Sequence, residues 1–198
     1  AGRFSTASDI SGPTADDCLA CSAGKYIDVA GSDEADDCIL CNPGKYGEAG
    51  ETTSACTGDC AAGRFSTASD ISGPTADDCI ACDAGKYGAA GATTSACTGD
   101  CAAGRFSTAT DISGPTADDC LACDAGKYGA AGATTSACSG DCAAGRFSTA
   151  SDISGPAAYD CLACDAGKYI DVTGSVEADA CLACDAGKYG AAGATTSA

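Results

Sequence analysis

The spacing of the cysteines constrains this chain more than any other feature. Eighteen cysteines occur in 198 residues, in close pairs separated by two or three residues, with 14 to 18 residues between one pair and the next. Cysteine at this density is typical of secreted modules in which disulfides replace a large hydrophobic core. The hydrophobic share of 45% does not weaken this inference, because most of it is Ala and Cys, which bury little area. We therefore predict an oxidising compartment.

The sequence also repeats itself. A 41-residue stretch that begins at Cys60 begins again at Cys101, and a third copy starts at Cys142. Within it lies a shorter unit marked by Cys, two spacer residues, Gly, a basic residue and an aromatic residue. Residues 144–198 repeat residues 1–55, which indicates a super-repeat of 143 residues. Ten units account for every Lys and Arg in the chain: Arg3, Lys25, Lys45, Arg64, Lys86, Arg105, Lys127, Arg146, Lys168 and Lys188.

Three forms of the unit differ in the number of residues between their cysteines. A long form (GRFSTASDISGPTADDC) has 18, a middle form (GKYIDV) has 16 and a short form (GKYGAAGATTSAC) has 14. The predicted modules are 1–20 (long, partial), 21–40 (middle), 41–59 (short), 60–81 (long), 82–100 (short), 101–122 (long), 123–141 (short), 142–163 (long), 164–183 (middle) and 184–198 (short, partial).

These units predict small disulfide-rich tandem repeats, forming an elongated rod or solenoid-like array of short β-strands and turns with little hydrophobic core. Gly, Pro and Asp recur too often for helices longer than a turn or two. We expect the Gly before each basic residue to adopt a positive φ angle. The other regularly placed large apolar residues are expected to contact neighbouring units: Ile10, Ile71, Ile112, Ile153, Leu19, Ile80, Leu121 and Leu162.

The gaps between cysteines favour one pairing scheme. The gap between units is nearly constant, whereas the gap within units varies, and a closed loop tolerates length variation more readily than a junction does. This predicts sequential disulfides, with Cys18 and Cys184 bonded to residues outside the segment. An interleaved scheme stays open, while bonds within a close pair are disfavoured without a thioredoxin-like pattern. The sequential pairs are Cys21–Cys38, Cys41–Cys56, Cys60–Cys79, Cys82–Cys97, Cys101–Cys120, Cys123–Cys138, Cys142–Cys161 and Cys164–Cys181.

The run CNPGKYGEAGETTSACTGDC at residues 41–60 resembles the ephrin-receptor-like cysteine-rich repeats. It is also similar to the single-disulfide module of tumour necrosis factor receptors. The resemblance covers all ten units. It implies small loops closed onto the next Cys-x-x-Cys, in elongated ectodomains with little core.

The charge of the chain narrows its possible partners. A net charge of −18 predicts no binding to nucleic acid, because phosphates would be repelled. We predict no membrane span in this segment, since no apolar run approaches the ~20 residues required.

Zinc is disfavoured because the chain has no His and the compartment is oxidising. We expect no cofactor, with weak Ca²⁺ binding by exposed carboxylates as a hypothesis.

We do not expect an enzyme. Without His, acid-base chemistry would fall to adjacent carboxylates, and neighbours in an extended segment point to opposite faces rather than towards one substrate. The pairs concerned are Asp16 with Asp17, Asp36 with Asp37, Asp77 with Asp78, and Asp118 with Asp119.

Glycosylation is a further expectation. The single Asn, Asn42, precedes Pro43, so no N-linked acceptor exists, whereas small hydroxyl residues recur at fixed places. The candidate O-glycosylation residues are Thr52, Thr53, Ser54, Thr93, Thr94, Ser95, Thr134, Thr135 and Ser136.

The near-identity of the copies favours an extracellular structural protein. Each unit must contact its neighbours in the same way, and near-identical copies provide that regularity. We therefore expect self-association into a fibre, stalk or filamentous appendage, with O-glycans as a further expected partner. The alternative is an adhesin or receptor-like ectodomain that binds a protein or glycan. Only Tyr159 and the Ile-Asp-Val units stand out as the kind of distinctive residues that such a protein would use.

Overall fold

A computed structural model describes residues 1–6, 18–70, 73–108, 114–149 and 155–198. Ile10, Ile71, Ile112, Ile153 and the pair Asp16 and Asp17 lie outside these residues. The chain divides into two compact units. Unit 1 comprises residues 1–83 and 88–98, and unit 2 comprises residues 84–87 and 99–198.

The repeating element in both units is an antiparallel hairpin of two-residue strands. The first strand holds the basic and aromatic residues, and the second follows the next cysteine of the chain. Unit 1 contains β1 (Arg3–Phe4), β2 (Leu19–Ala20), β3 (Lys25–Tyr26), β4 (Ile39–Leu40), β5 (Lys45–Tyr46), β6 (Gly58–Asp59), β7 (Arg64–Phe65) and β8 (Ile80–Ala81). Unit 2 contains β9 (Lys86–Tyr87), β10 (Gly99–Asp100), β11 (Arg105–Phe106), β12 (Leu121–Ala122), β13 (Lys127–Tyr128), β14 (Gly140–Asp141), β15 (Arg146–Phe147), β16 (Leu162–Ala163), β17 (Lys168–Tyr169) and β18 (Leu182–Ala183).

Each odd-numbered strand pairs with the strand that follows it. Eight of these nine hairpins enclose a disulfide loop, whereas in the β1–β2 hairpin the closing cysteine, Cys18, is free. In the long and middle forms an aliphatic residue lies opposite the aromatic one, as in the pairs Phe65 with Ile80 and Tyr26 with Ile39. In the short form a glycine takes that place, so Tyr46 lies opposite Gly58. The prediction of disulfide-rich tandem repeats built from short strands is confirmed.

Helical structure in the described residues is limited to short 3-10 turns, as the frequent Gly, Pro and Asp predicted. The turns come directly before a cysteine in long and middle forms, at Ala35–Asp37, Ala76–Asp78, Ala117–Asp119 and Ala178–Ala180.

Within each unit, neighbouring hairpins are joined through the aromatic residue of the first strand. Tyr26 forms a parallel bridge with Glu51, and Phe65 forms one with Ala92, in unit 1. Unit 2 has the equivalent bridges, which are Phe106 with Ala133, Phe147 with Ser175, and Tyr169 with Ala194. The first strand therefore has neighbours on both sides.

Half-cystines make up most of the buried apolar residues among those described. Two small clusters add other side chains: Ile27 and Phe4 around Cys21 and Cys38, and a matching group around Ile170. We expected Leu19, Ile80, Leu121 and Leu162 to pack between neighbours, yet each is 47–49% exposed. The reason is that they lie on the second strand of the hairpin, whose outer edge has no bridging strand among the described residues.

Candidate functional site: the disulfide frame and the module junctions

Eight disulfides form a regular frame along the chain. We call the first cysteine of each loop the opening cysteine and the second the closing cysteine. The bonds are Cys21–Cys38, Cys41–Cys56, Cys60–Cys79, Cys82–Cys97, Cys101–Cys120, Cys123–Cys138, Cys142–Cys161 and Cys164–Cys181, the same pairs as in the sequential scheme. Cys18 and Cys184 are half-buried and carry free thiols.

Burial separates the short form from the other two. Every opening cysteine with a partner is buried, and so are the closing cysteines of the long and middle forms. The closing cysteines of the short form are half-buried and have positive φ angles of 50°. A non-glycine residue in this left-handed region carries roughly 1–2 kcal/mol of backbone strain. The short-form residues concerned are Cys56, Cys97 and Cys138.

The basic residue of each first strand has a role that depends on the form. In long forms an arginine reaches the closing cysteine of its own loop: Arg64 Nη1 donates to the Cys79 carbonyl at 2.7 Å, and Arg105 Nη1 donates to the Cys120 carbonyl at 2.7 Å. In short forms the lysine forms a cross-strand ion pair with the aspartate opposite, as Lys45 does with Asp59. Exposed pairs of this kind contribute about 0–1 kcal/mol. A hydrogen bond from a charged donor contributes roughly 1.5–3 kcal/mol, so we expect the arginine contact to stabilise its loop more than the lysine ion pair does.

A buried serine joins each long form to the short form before it. The Ser107 hydroxyl, 2% exposed, donates to the Lys86 carbonyl at 3.0 Å, and the Ser107 carbonyl accepts from Gly85 N–H at 2.8 Å. Ser66 and Ser148 make the same contacts with Lys45 and Lys127. These serines were not predicted from the sequence. Their constant place after Arg-Phe was the available signal.

A different residue type occupies the position of this serine in each of the three forms. The residue after the basic-aromatic pair is Ser in long forms, Ile in middle forms and Gly in short forms. It is buried in every module except the first and the last, where Ser5 and Gly190 are half-buried. Ile27 and Ile170 are 1% and 2% exposed. A Cβ added to Gly88 would lie 2.9 Å from Cys82 Sγ and 3.0 Å from Cys97 Cβ, so the disulfide itself occupies that space.

The glycine before the basic residue adopts a positive φ angle, as expected, and it also permits a close contact between modules. Gly85 has φ 78°, and a Cβ there would lie 2.3 Å from the Gly132 carbonyl oxygen. Gly44 has the same relation to Gly91. Each of these short-form glycines approaches the next short form along the chain. Any residue with a Cβ would clash with the carbonyl oxygen there.

The aspartate pairs of the long form divide into two roles. Asp78 accepts hydrogen bonds from the Thr75 hydroxyl at 2.7 Å and the Thr75 N–H at 2.8 Å. These bonds, chiefly the hydroxyl one, hold the pKa of Asp78 below its usual value of 3.8, and Thr116 does the same for Asp119. Asp77 and Asp118 have side chains 82% and 83% exposed, near an arginine Nε at 3.9 Å. Asp78 and Asp119 therefore cap a local turn, whereas Asp77 and Asp118 belong to a solvent-exposed acidic face.

The candidate O-glycosylation residues differ in accessibility. The threonines Thr52, Thr53, Thr93, Thr94, Thr134 and Thr135 are exposed. The serines are half-buried and bonded: Ser95 donates to Asp83 at 2.7 Å, Ser136 donates to Asp124 at 2.7 Å, and Ser54 accepts from Asn42. Modification at these sites stays a prediction, and the geometry favours the threonines as acceptors.

In the described ranges, no three or more Cys, Asp or Glu side chains lie close enough together to hold a metal ion. No helix in those ranges is both long and apolar enough to cross a membrane. Weak Ca²⁺ binding remains a hypothesis.

Taken together, the hairpins and disulfides define a chain of tandem cysteine-rich repeats. No known protein-family model matches the chain, and no curated protein matches it.

Proposed function

We propose that this chain is an extracellular structural protein whose tandem modules form a fibre, stalk or filamentous appendage. The observation that carries the proposal is the recurrence of one junction. The bond from the glycine N–H of one module to the next module is 2.8 Å at Gly24 to Gly47, 2.7 Å at Gly63 to Gly88 and 2.7 Å at Gly104 to Gly129. A junction that is repeated this closely is what an extended array requires.

Two further features support the proposal. Eight disulfides suit an oxidising compartment, and they hold the fold without a large core. We also propose that the protein has no catalytic activity, because its carboxylates serve local capping or a solvated face rather than one cleft. O-linked sugar on the exposed threonines would fit the same role.

Electron microscopy of native material tests this proposal. We expect regular filaments or stalks, and treatment with a reductant should disperse them, because the frame is covalent. The control is the same material incubated without reductant. Separate short particles that bind a defined protein or glycan would contradict the proposal and support an adhesin or receptor-like ectodomain instead.

A further inference from the structure

The loop that joins β3 to β4 in the first middle-form module borders a cavity of about 510 Å³. The lining residues all lie within residues 27–39 of unit 1, and the Cys21–Cys38 disulfide closes the loop. Ligand cavities in proteins typically have volumes of about 300–1,000 Å³. The cavity is therefore large enough for a small organic molecule or for a side chain of a partner.

One part of the cavity lining is aliphatic. Ile27 is 1% exposed, whereas Val29 and Ile39 line the cavity with 56% and 53% of their surface exposed. A hydrocarbon stem that packs on these side chains is removed from water, which favours binding. A hydrated inorganic ion would gain nothing from this part of the lining.

The other part of the lining is negatively charged. Four carboxylates line the cavity, and no Lys or Arg is among the lining residues. None of the four forms a salt bridge among the described residues, which include every Lys and Arg of the chain. A cation is the complement of such a lining. The four residues are Asp28, Asp33, Asp36 and Asp37.

The spread of these carboxylates favours an organic cation over a metal ion. In the part of the chain that the structure describes, no three Cys, Asp or Glu side chains lie close enough together to share one metal ion. An ammonium group does not need ligands that converge on one point, because each of its three N–H donors can bond to a different acceptor. An ammonium on an aliphatic stem uses both parts of the lining.

A hydroxyl group at the cavity also lacks a partner. Ser32 lines the cavity, and its Oγ is buried without a hydrogen-bond partner in the chain. Buried polar atoms are normally hydrogen-bonded, so Ser32 Oγ indicates a partner from outside the chain. The Ser32 carbonyl accepts a bond from Ser5 N–H at 3.2 Å, which fixes this part of the loop to the preceding module. An ammonium supplies the donor that Ser32 Oγ lacks.

We propose that this cavity binds an alkylammonium group, which is a primary amine on an aliphatic stem. The ammonium lies among the carboxylates, and the stem packs against Ile27, Val29 and Ile39. A lysine side chain of a partner protein and a free aliphatic amine share this chemistry. The site is additional to the proposed function and does not depend on it.

The second middle form provides a natural comparison. Residues 170–182 repeat the loop with Val176 in place of Asp33 and Ala180 in place of Asp37. The positions of the three aliphatic lining residues stay aliphatic. Because two of the four carboxylates are absent from this loop, we expect it to bind an alkylammonium group more weakly than the first loop does.

Amide NMR titration of the oxidised 198-residue chain with hexylamine, at low ionic strength, tests the proposal. Hexylamine is a cation at neutral pH. We expect saturable shifts centred on residues 27–39, with a Kd of about 1 mM. Ethylamine keeps the charge but has a shorter stem, so it should bind about tenfold more weakly or less. Equal affinity for the two amines, or equal shifts in every acidic loop, would overturn the proposal.

Two double variants separate a local site from the net charge of the chain. Asp33→Asn with Asp37→Asn should weaken hexylamine binding about tenfold, or about threefold for each carboxylate. The matched control is Glu177→Gln with Asp179→Asn, which removes the same charge from the second middle form and should leave the affinity unchanged. All four side chains are exposed, so we expect both variants to fold. Equal losses of affinity would overturn the site.

A lysine peptide, acetyl-Gly-Lys-Gly-amide, identifies the source of the amine. Binding of the peptide at least as tight as that of hexylamine would support a lysine side chain of a partner protein. Binding of hexylamine alone would support a free amine. If neither molecule binds saturably, the proposal is wrong, and regular filaments in native material would still support the proposed function.

Discussion

The middle-form loop Cys21–Cys38 and the short-form loop Cys41–Cys56 share the Gly-Lys-Tyr start but fill the space under the hairpin differently. In the middle form Ile27 fills it and is 1% exposed. In the short form Gly47 stands there, and its Cβ would lie 3.0 Å from Cys41 Sγ. The closing Cys38 has an ordinary φ of −73°, whereas Cys56 has φ 50°. A loop that is shorter by two residues draws the disulfide into the place of the isoleucine.

The contrast shows where length variation is absorbed. It is taken up beneath the hairpin and at the closing cysteine, while the bond from one module to the next keeps nearly the same length, 2.8 Å at Gly24 and 3.0 Å at Gly44. The interior of a module is therefore variable and the junction is fixed.

The largest expected effect is at the short-form junction. Gly85→Ala should destabilise the oxidised chain by about 4 kcal/mol, because strain at positive φ adds to overpacking against the Gly132 carbonyl. Gly187→Ala is the matched control: Gly187 has φ 81° but nothing within 4 Å of the added Cβ, so only about 1–2 kcal/mol of strain is expected. Denaturant unfolding measures both. Equal losses would show that the close approach contributes nothing.

The middle-form interior comes next. Ile170→Ala should cost about 3 kcal/mol, because it opens a cavity in the cluster of Phe147, Cys164 and Cys181. Val172→Ala, at a position 57% exposed, should change stability by less than about 0.5 kcal/mol. Thermal unfolding of the two variants gives the comparison. If Ile170→Ala leaves the melting temperature unchanged, the disulfide alone stabilises the middle form.

The two classes of disulfide should differ in their resistance to reduction. The half-buried, strained closing cysteines of the short form predict that Cys41–Cys56, Cys82–Cys97 and Cys123–Cys138 are reduced about tenfold more readily than the long-form bonds, which corresponds to about 1.4 kcal/mol. The chain is titrated with dithiothreitol and the freed thiols are alkylated. Peptide mass spectrometry then gives the order in which the disulfides are reduced. Simultaneous reduction of all eight bonds would contradict the distinction.

The smallest effect concerns the long form alone. The pKa of Asp78 and that of Asp119 lie below the usual 3.8, so their contribution to stability is present above that pH and is lost as the pH falls through the lowered value in the folded chain. Replacing Thr75 and Thr116 by alanine should flatten the dependence of Tm on pH between about 5 and 2. An unchanged slope would assign the acid sensitivity to other carboxylates.

Some of these features could be predicted from the sequence because they are local and periodic. The repeat of short strands and the turn glycines follow from residue spacing, and the spacing favoured the sequential disulfide scheme while leaving an interleaved one open. The partners of Ser66 could not be predicted, since its hydroxyl bonds Lys45, 21 residues earlier, in another module. The separate roles of Asp77 and Asp78 were also hidden, because they depend on which of two adjacent carboxylates faces Thr75.

The half-cystine interior also affects how this protein responds to temperature. The heat capacity change of unfolding arises mainly from hydrocarbon exposed to water, typically about 12–15 cal/mol/K per residue. Here most of the buried apolar residues are half-cystines, which carry little hydrocarbon, and the intact disulfides keep the unfolded chain compact. Unfolding of the oxidised chain should therefore show a smaller heat capacity change per residue. The curve of stability against temperature becomes shallow, so the folded modules lose little stability in the cold.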